Sequence, residues 1–172
     1  RSMLNFGLTE LRLVDPRCDH LSDASKAIAA GSYEILENAK VYSSLDECVK
    51  DLQRVYATTV RPRHMTQMIY TPQKAAEAVV HRIPAAIEDG PNNVHHRAGI
   101  LFGTERSGLT NEEVAFADSI ITIPSFKHFS SLNLAQAVNI VGYEIWKRAS
   151  EIDGTLPPGV DLSLFLIAYS NF

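Results

Sequence analysis

Residues 98–146 read AGILFGTERSGLTNEEVAFADSIITIPSFKHFSSLNLAQAVNIVGYEIW, and their patterning decides the fold. Two apolar runs, residues 98–102 and 119–123, have the composition of buried strands. Each leads at once into a turn rich in small and hydroxyl residues, and each turn opens a helix. Strand, polar turn and helix, twice in succession, is how open α/β sheets build ligand crevices at the carboxyl ends of their strands. The site is expected here.

Moving outward, the 172 residues are enough for one domain with a substantial core. Apolar residues make up 45% and charged residues 21%, both ordinary for a globular domain. A net charge of −4 argues against attachment to nucleic acid by bulk electrostatics alone, although a local basic patch stays compatible with it. Cys18 and Cys48 form neither a CxxC nor a Cys/His cluster, which speaks for a reducing cytosol and a cytoplasmic protein without structural zinc. No apolar run approaches the roughly 18 residues of a membrane span, and the first residues do not resemble a signal peptide. The chain opens on Arg1 without an initiator Met, as a fragment of a longer chain would.

Around the central stretch, helices and strands alternate. Residues 2–7 read as the end of a helix closed by Gly7, and residues 9–14 as a strand with Leu11 and Leu13 alternating. Ser22 or Asp23 caps a helix over residues 24–30 that ends at Gly31, and a second short helix covers residues 33–37. Residues 39–42 form a brief strand, after which Ser44 caps a helix with Leu45, Cys48, Val49 and Leu52 on its apolar face. Residues 55–60 are β-branched and read as a buried strand. Residues 61–71 form a loop whose Arg61, Arg63, His64 and Tyr70 suit phosphate contact and base stacking, and suit a solvated loop equally. Pro72 starts a helix toward His81, and His95 and His96 read as exposed loop residues. After residue 150 a linker rich in Gly and Pro leads to residues 162–169, an apolar segment expected as a terminal helix packed on the domain. The alternation points to an α/β fold with a mainly parallel sheet.

Within the central stretch, Gly103 permits a close backbone approach to a ligand, and Glu105 beside Arg106 reads as an ion pair or turn acceptor rather than a general acid. Thr110 or Asn111 caps the next helix, with Glu112 and Glu113 favourably placed in its first turn. Ser130 or Ser131 is expected to cap the long last helix, whose buried face is Leu134, Val138, Val141 and Ile145. GTERSG is not a GxGxxG fingerprint, and no phosphate loop, GxSxG elbow or HExxH helix is present. The residues by themselves indicate an α/β domain that binds a small ligand through backbone groups.

The blocks FGTERSGLTNEEVAFAD, ITIP and SSLNLAQAVNIVGYEIW, in that order and spacing, resemble motifs two and three of the SPOUT RNA methyltransferases. Within them the chain is similar to the TrmH-like branch, and most of all to TrmJ-type tRNA 2′-O-methyltransferases. ATTVR at residues 57–61 matches a strand-end loop of that family, and RSMLNFGLTELRLVDP at residues 1–16 matches the segment after its first motif. Wider TrmH-like relatives carry a Gly after the Ile-Pro pair, where this chain has Ser125-Phe126-Lys127-His128-Phe129.

The resemblance implies a SPOUT methyltransferase domain over residues 1–150, with a mainly parallel sheet flanked by helices and a trefoil knot, followed by a linker and helical tail over residues 151–172. The family's first strand and the Asn that precedes its first-motif Arg do not occur in this sequence. S-adenosylmethionine is the implied methyl donor, with no metal. Its pocket falls to Thr58, Thr59 and Val60, to Gly103, and to Ile123, Ser130, Ser131 and Leu132. Arg1 is the implied catalytic residue near the ribose, with Glu105, Ser131 and Asn133 bracing the loops, and Arg61, Arg63 and Lys127 are the implied RNA contacts. The implied partners are tRNA and a second copy of the chain, joined through the helix over residues 132–148, with no membrane. The implied function is 2′-O-ribose methylation of tRNA at the first nucleotide of the anticodon loop. Methylation of an RNA base or of a ribosomal RNA ribose, and a non-catalytic RNA-binding dimer, are the alternatives.

Overall fold

A computed structural model describes residues 1–29, 31–60, 66–80, 97–153 and 164–169. Its strands are β1 (Glu10–Val14), β2 (Lys40–Tyr42), β3 (Arg54–Thr58), β4 (Met68–Tyr70), β5 (Ala98–Phe102), β6 (Ser119–Ile121) and β7 (Leu164–Tyr169). They form one sheet in the order β2-β1-β7-β5-β3-β6-β4, and each described pairing is parallel. The helices are α1 (Asp23–Ala29), α2 (Tyr33–Glu37), α3 (Leu45–Val49), α4 (Pro72–Val80), α5 (Asn111–Ala115) and α6 (Leu134–Asp153), with a 3-10 turn at Leu4–Phe6. The α/β class and the mainly parallel sheet are therefore as expected.

β5 shows why the sheet must be covered on both faces. All five of its residues are buried, and a strand buried on both sides reads as a continuous apolar run. Ile100 and Phe102 enter the larger core with Ala75, Ala76, Val79 and Val80 of α4 and Val141, Ile145 and Ala149 of α6. Leu101 faces the other way, into a cluster with Val14, Leu45, Cys48 and Ile167. Beside it Val55, Ala57 and Ile120 pack on Val114 of α5 and on Ala117 just after that helix.

Local chemistry sets the element ends. Gly7 takes φ +67° and closes the 3-10 turn. The Ser22 Oγ accepts from Ser25 N at 3.3 Å at the start of α1, and Ser44 accepts from Glu47 N at 3.3 Å at the start of α3. Thr110 and Glu113 form a reciprocal capping box on α5. The long helix differs from expectation, because its cap is Asn133 rather than a serine. Asn133 Oδ1 accepts from Ala135 N at 2.8 Å, and Asn133 N donates to Gln136 Oε1 at 3.3 Å.

Two strands depart from the sequence reading. β4 lies inside the segment read as loop, and it is a three-residue edge strand paired only with β6 among the described residues. Residues 164–169, expected as a terminal helix, are the strand β7. It lies between β1 and β5, with Leu164, Phe165, Leu166 and Ile167 all buried. A short apolar run has no period that separates strand from helix, and here pairing on both edges decides for strand.

β7 is held from below by an ion cluster. Arg12, on β1, is 1% exposed and donates from Nη1 and Nη2 to the Asp51 carboxylate at 2.6 and 2.9 Å. It also donates to the Cys48 carbonyl. Its guanidinium carbon lies 3.9 Å from the centroid of Phe165 on β7. Arg97 reaches the same carboxylate at 2.6 Å. Among the described residues no helix is long and apolar enough to cross a membrane.

Candidate active site

The chain order of the sheet reverses around β3. From β3 the chain goes to edge strand β4, then to β5 on the other side of β3, and then to β6, which enters between β3 and β4. A crevice forms at such a reversal because neighbouring connections leave in opposite directions. The carboxyl ends of β5, β3 and β6 stand side by side there, and two threonines tie them together. Thr58 Oγ1 donates to Leu101 O at 2.9 Å across β3 and β5. Thr122 Oγ1 donates to Thr59 O at 2.8 Å, while Thr59 N donates to Ile121 O at 3.1 Å and Thr122 N to Tyr70 O at 2.9 Å.

Three loops rise from these ends around one cleft of about 600 Å³. That volume lies within the range of small-molecule sites. The first wall is Thr58, Thr59 and Val60; the second is residues 102–109 with Asn111 and Val114 of α5; the third is Ile121, Ile123, Ser130, Ser131 and Leu132 with Leu134 and Ala137 of α6. Thus Thr58, Thr59, Val60, Gly103, Ile123, Ser130, Ser131 and Leu132, scattered over the sequence, meet on one cleft, and Glu105 lines it with them.

The second wall is a compact turn. Gly108 N donates to Thr104 O at 2.9 Å, the Thr104 and Ser107 hydroxyls are 2.7 Å apart, and Gly108 has φ +69°. Gly103 is required for a reason other than ligand approach. A Cβ there would stand 2.2 Å from Gly108 C and 2.4 Å from Leu109 N, so the backbone it admits is that of its own loop. Among the described residues Glu105 makes no ion pair with Arg106, contrary to the reading of these neighbours. Both side chains are exposed on the cleft wall, where among the described residues they are its one carboxylate and its one guanidinium.

The third wall is closed by hydrogen bonds within its own loop. Ser125 Oγ donates to Ser130 O at 3.1 Å, and Phe129 N donates to Phe126 O at 2.9 Å. Ser131 lines the cleft, whereas Asn133 does not, and its side-chain oxygen is committed to the α6 cap. Arg1 also lies off the cleft lining. It is exposed and precedes the 3-10 turn, whose Phe6 packs edge-on against Tyr143 of α6 at 6.0 Å. Lys127 is exposed on the third loop, outside the lining. Arg61, Arg63 and His64 lie outside the described residues, as do His95 and His96.

Sequence reasoning missed two supports. Thr122, which pins β6 to both β3 and β4, had its signal in a hydroxyl immediately after an apolar strand. Tyr169 ends β7 against Glu113 of α5; burial and then that carboxylate push its phenol pKa up. Glu113 thus serves both the α5 cap and the end of β7. Among the described residues no cluster of His, Cys, Asp or Glu could hold a metal ion.

Comparison with known proteins places this arrangement. A protein of Haemophilus influenzae named "Uncharacterized tRNA/rRNA methyltransferase" is 39% identical over 145 residues, covering 84% of this chain and 54% of that protein. A Methanocaldococcus jannaschii protein named tRNA (cytidine-2′-O-)-methyltransferase TrmJ is 32% identical over 151 residues, covering 86% of this chain and 60% of the relative. The chain therefore spans somewhat over half the length of these relatives. The crystal structure of TrmJ from Z. mobilis ZM4 superposes with a TM-score of 0.71 at 43% identity, covering 85% of this chain and 60% of that one. The model of the SpoU rRNA methylase family matches residues 1–143. The resemblance carried by the three motif blocks is thereby borne out, and the chain belongs to the SpoU rRNA methylase family.

Proposed function

We propose that this chain is an S-adenosylmethionine-dependent RNA 2′-O-methyltransferase acting on tRNA at the first nucleotide of the anticodon loop. The observation that carries the reading is the convergence of three loops, distant in sequence, on one cleft at the ends of β3, β5 and β6. Relatives at 32% identity named as tRNA 2′-O-methyltransferases support the choice of tRNA ribose.

The residues of the cleft fit the donor chemically. Ile121, Ile123, Leu132 and Ala137 offer an apolar surface to an adenine ring, and the strand ends offer backbone groups to its edge. Glu105 suits a neighbouring sulfonium, and Arg106 a carboxylate or phosphate. S-adenosylmethionine supplies a methyl group already activated on sulfur. What remains for the protein is alignment of the ribose 2′-oxygen with that carbon and sulfur. Ser131 and Glu105, on the cleft lining, are assigned to brace the loops for that alignment, and Asn133 holds the wall by capping α6.

Arg1 is assigned to the acceptor side. Because it stands off the cleft, the bound RNA or a second copy of the chain must bring the two together. A homodimer through α6 is part of the reading, supported by Ile140 and Tyr143, which are 37% and 47% exposed on the face turned from the core. A trefoil knot is part of it too, supported by the entry of β6 between the already connected β3 and β4.

Methyl transfer to transcribed tRNA tests the reading. Label from S-adenosylmethionine is expected in normal tRNA and absent from tRNA carrying a 2′-deoxy sugar at the first anticodon-loop position. Equal labelling of both would assign the reaction to a base or another nucleotide, and tRNA binding without any transfer would leave an RNA-binding module.

A further inference from the structure

The third wall of the cleft carries a feature that cofactor binding does not use. Between the lining residues Ile123 and Ser130, the loop turns outward and exposes Phe126 by 72% and Phe129 by 83%. Large aromatic rings left this open at the rim of a cleft call for a partner. Lys127 and His128 stand between them, both exposed, and His128 meets the Phe126 ring edge-on at 5.5 Å. The turn is pre-formed, held by the Ser125 Oγ to Ser130 O bond and the Phe129 N to Phe126 O bond. The hydrogen-bonded turn therefore presents both rings outward.

We propose that the segment Phe126-Lys127-His128-Phe129 is a stacking platform that holds unpaired bases next to the nucleotide being methylated. The inference rests on the RNA methyltransferase reading and deepens it by naming residues that select an open loop over a duplex. Flat rings interleaved with a cation are how proteins bind single-stranded RNA: each base offers a face to stack, and the ammonium pairs with the backbone phosphate. A second copy of this chain fits less well. The apolar face suited to that contact is on α6, whereas a Lys between the two rings would have to be desolvated in a copy-to-copy interface.

The test uses the whole chain, a synthetic anticodon stem-loop and the same stem-loop with abasic loop positions. Phe126→Ala and Phe129→Ala are each expected to raise the stem-loop Kd and the RNA KM by about tenfold, as loss of base stacking does. The S-adenosylmethionine Kd should not move, Phe→Trp at either position should restore RNA binding, and the abasic stem-loop should bind wild type and variants alike. Wild-type activity with no change in RNA affinity in the alanine variants would overturn the platform while leaving the methyltransferase reading intact. Dissociation of a dimer in sedimentation on removing the rings would overturn it too, by assigning them to a protein interface. Failure of the function itself looks different: the wild type then neither binds S-adenosylmethionine nor transfers methyl.

Discussion

Gly103 is the residue on which the cleft geometry turns. Its missing side chain lets residues 104–108 fold back as a tight wall, with backbone atoms 2.2 to 2.6 Å from where a Cβ would be. Gly103→Ala must push that wall outward, and overpacking against backbone costs about 1–3 kcal/mol. A lowered Tm with weaker S-adenosylmethionine binding is expected, and an unchanged binding isotherm would show that the wall does not shape the site. Asp51 matters in a different way, because it neutralises buried Arg12 and half-buried Arg97 together. Hydrogen bonding from Arg12 holds its carboxyl below the usual range. A lowered folded pKa means stability that is present above the unfolded carboxylate pKa of 3.8 and is lost as pH falls through the folded value. Asp51→Asn should cost about 2–3 kcal/mol, less than a fully buried pair because this carboxylate is 38% exposed. It should also flatten the acid limb of a stability-versus-pH curve, and a limb equally steep in the variant would refute the assignment. Burial pushes the neighbouring Cys48 thiol up to about 11, so it stays protonated at neutral pH.

At the scale of elements, α5 and α6 are held at the cleft by their first turns, and both turns use side chains to satisfy backbone donors. Asn133→Ala should destabilise the protein by about 1 kcal/mol, read by denaturant unfolding, with S-adenosylmethionine binding weakened because Leu132 and Leu134 flank the cap on the cleft wall. Loss of binding without loss of stability would point instead to direct ligand contact by Asn133. β7 is an interior strand of the sheet, paired on both sides. Ile167 is fully buried between β1 and β5, so Ile167→Ala should cost about 2–5 kcal/mol. A change under 1 kcal/mol would mean that the segment is not seated in the sheet. These elements were unequally legible. β5 and α5 announced themselves, since an all-apolar run, a glycine turn and a Thr-x-x-Glu box are local signals. β4 and β7 could not be read, because three edge residues and six uninterrupted apolar ones acquire their state only from strands far away in sequence. The cap on α6 was misassigned because Ser130, Ser131 and Asn133 are all competent caps, and only the chain path selects among them.

For the whole molecule, the cleft walls were readable because motif blocks mark the loops, and the sheet order then brings 58–60, 103 and 123–132 together. The ion cluster was not, since Arg12, Asp51 and Arg97 are joined over 39 and 46 residues by topology alone. Nor does geometry within one chain bring Arg1, proposed for the acceptor side, to the cleft, since it lies off the lining. The central claim is that this cleft binds S-adenosylmethionine, and calorimetry on the folded protein tests it most directly. The account predicts saturable binding at one site per chain, weakened about tenfold by Leu132→Ala through lost apolar contact. No saturable binding to folded protein, or binding that Leu132→Ala leaves untouched, would contradict it.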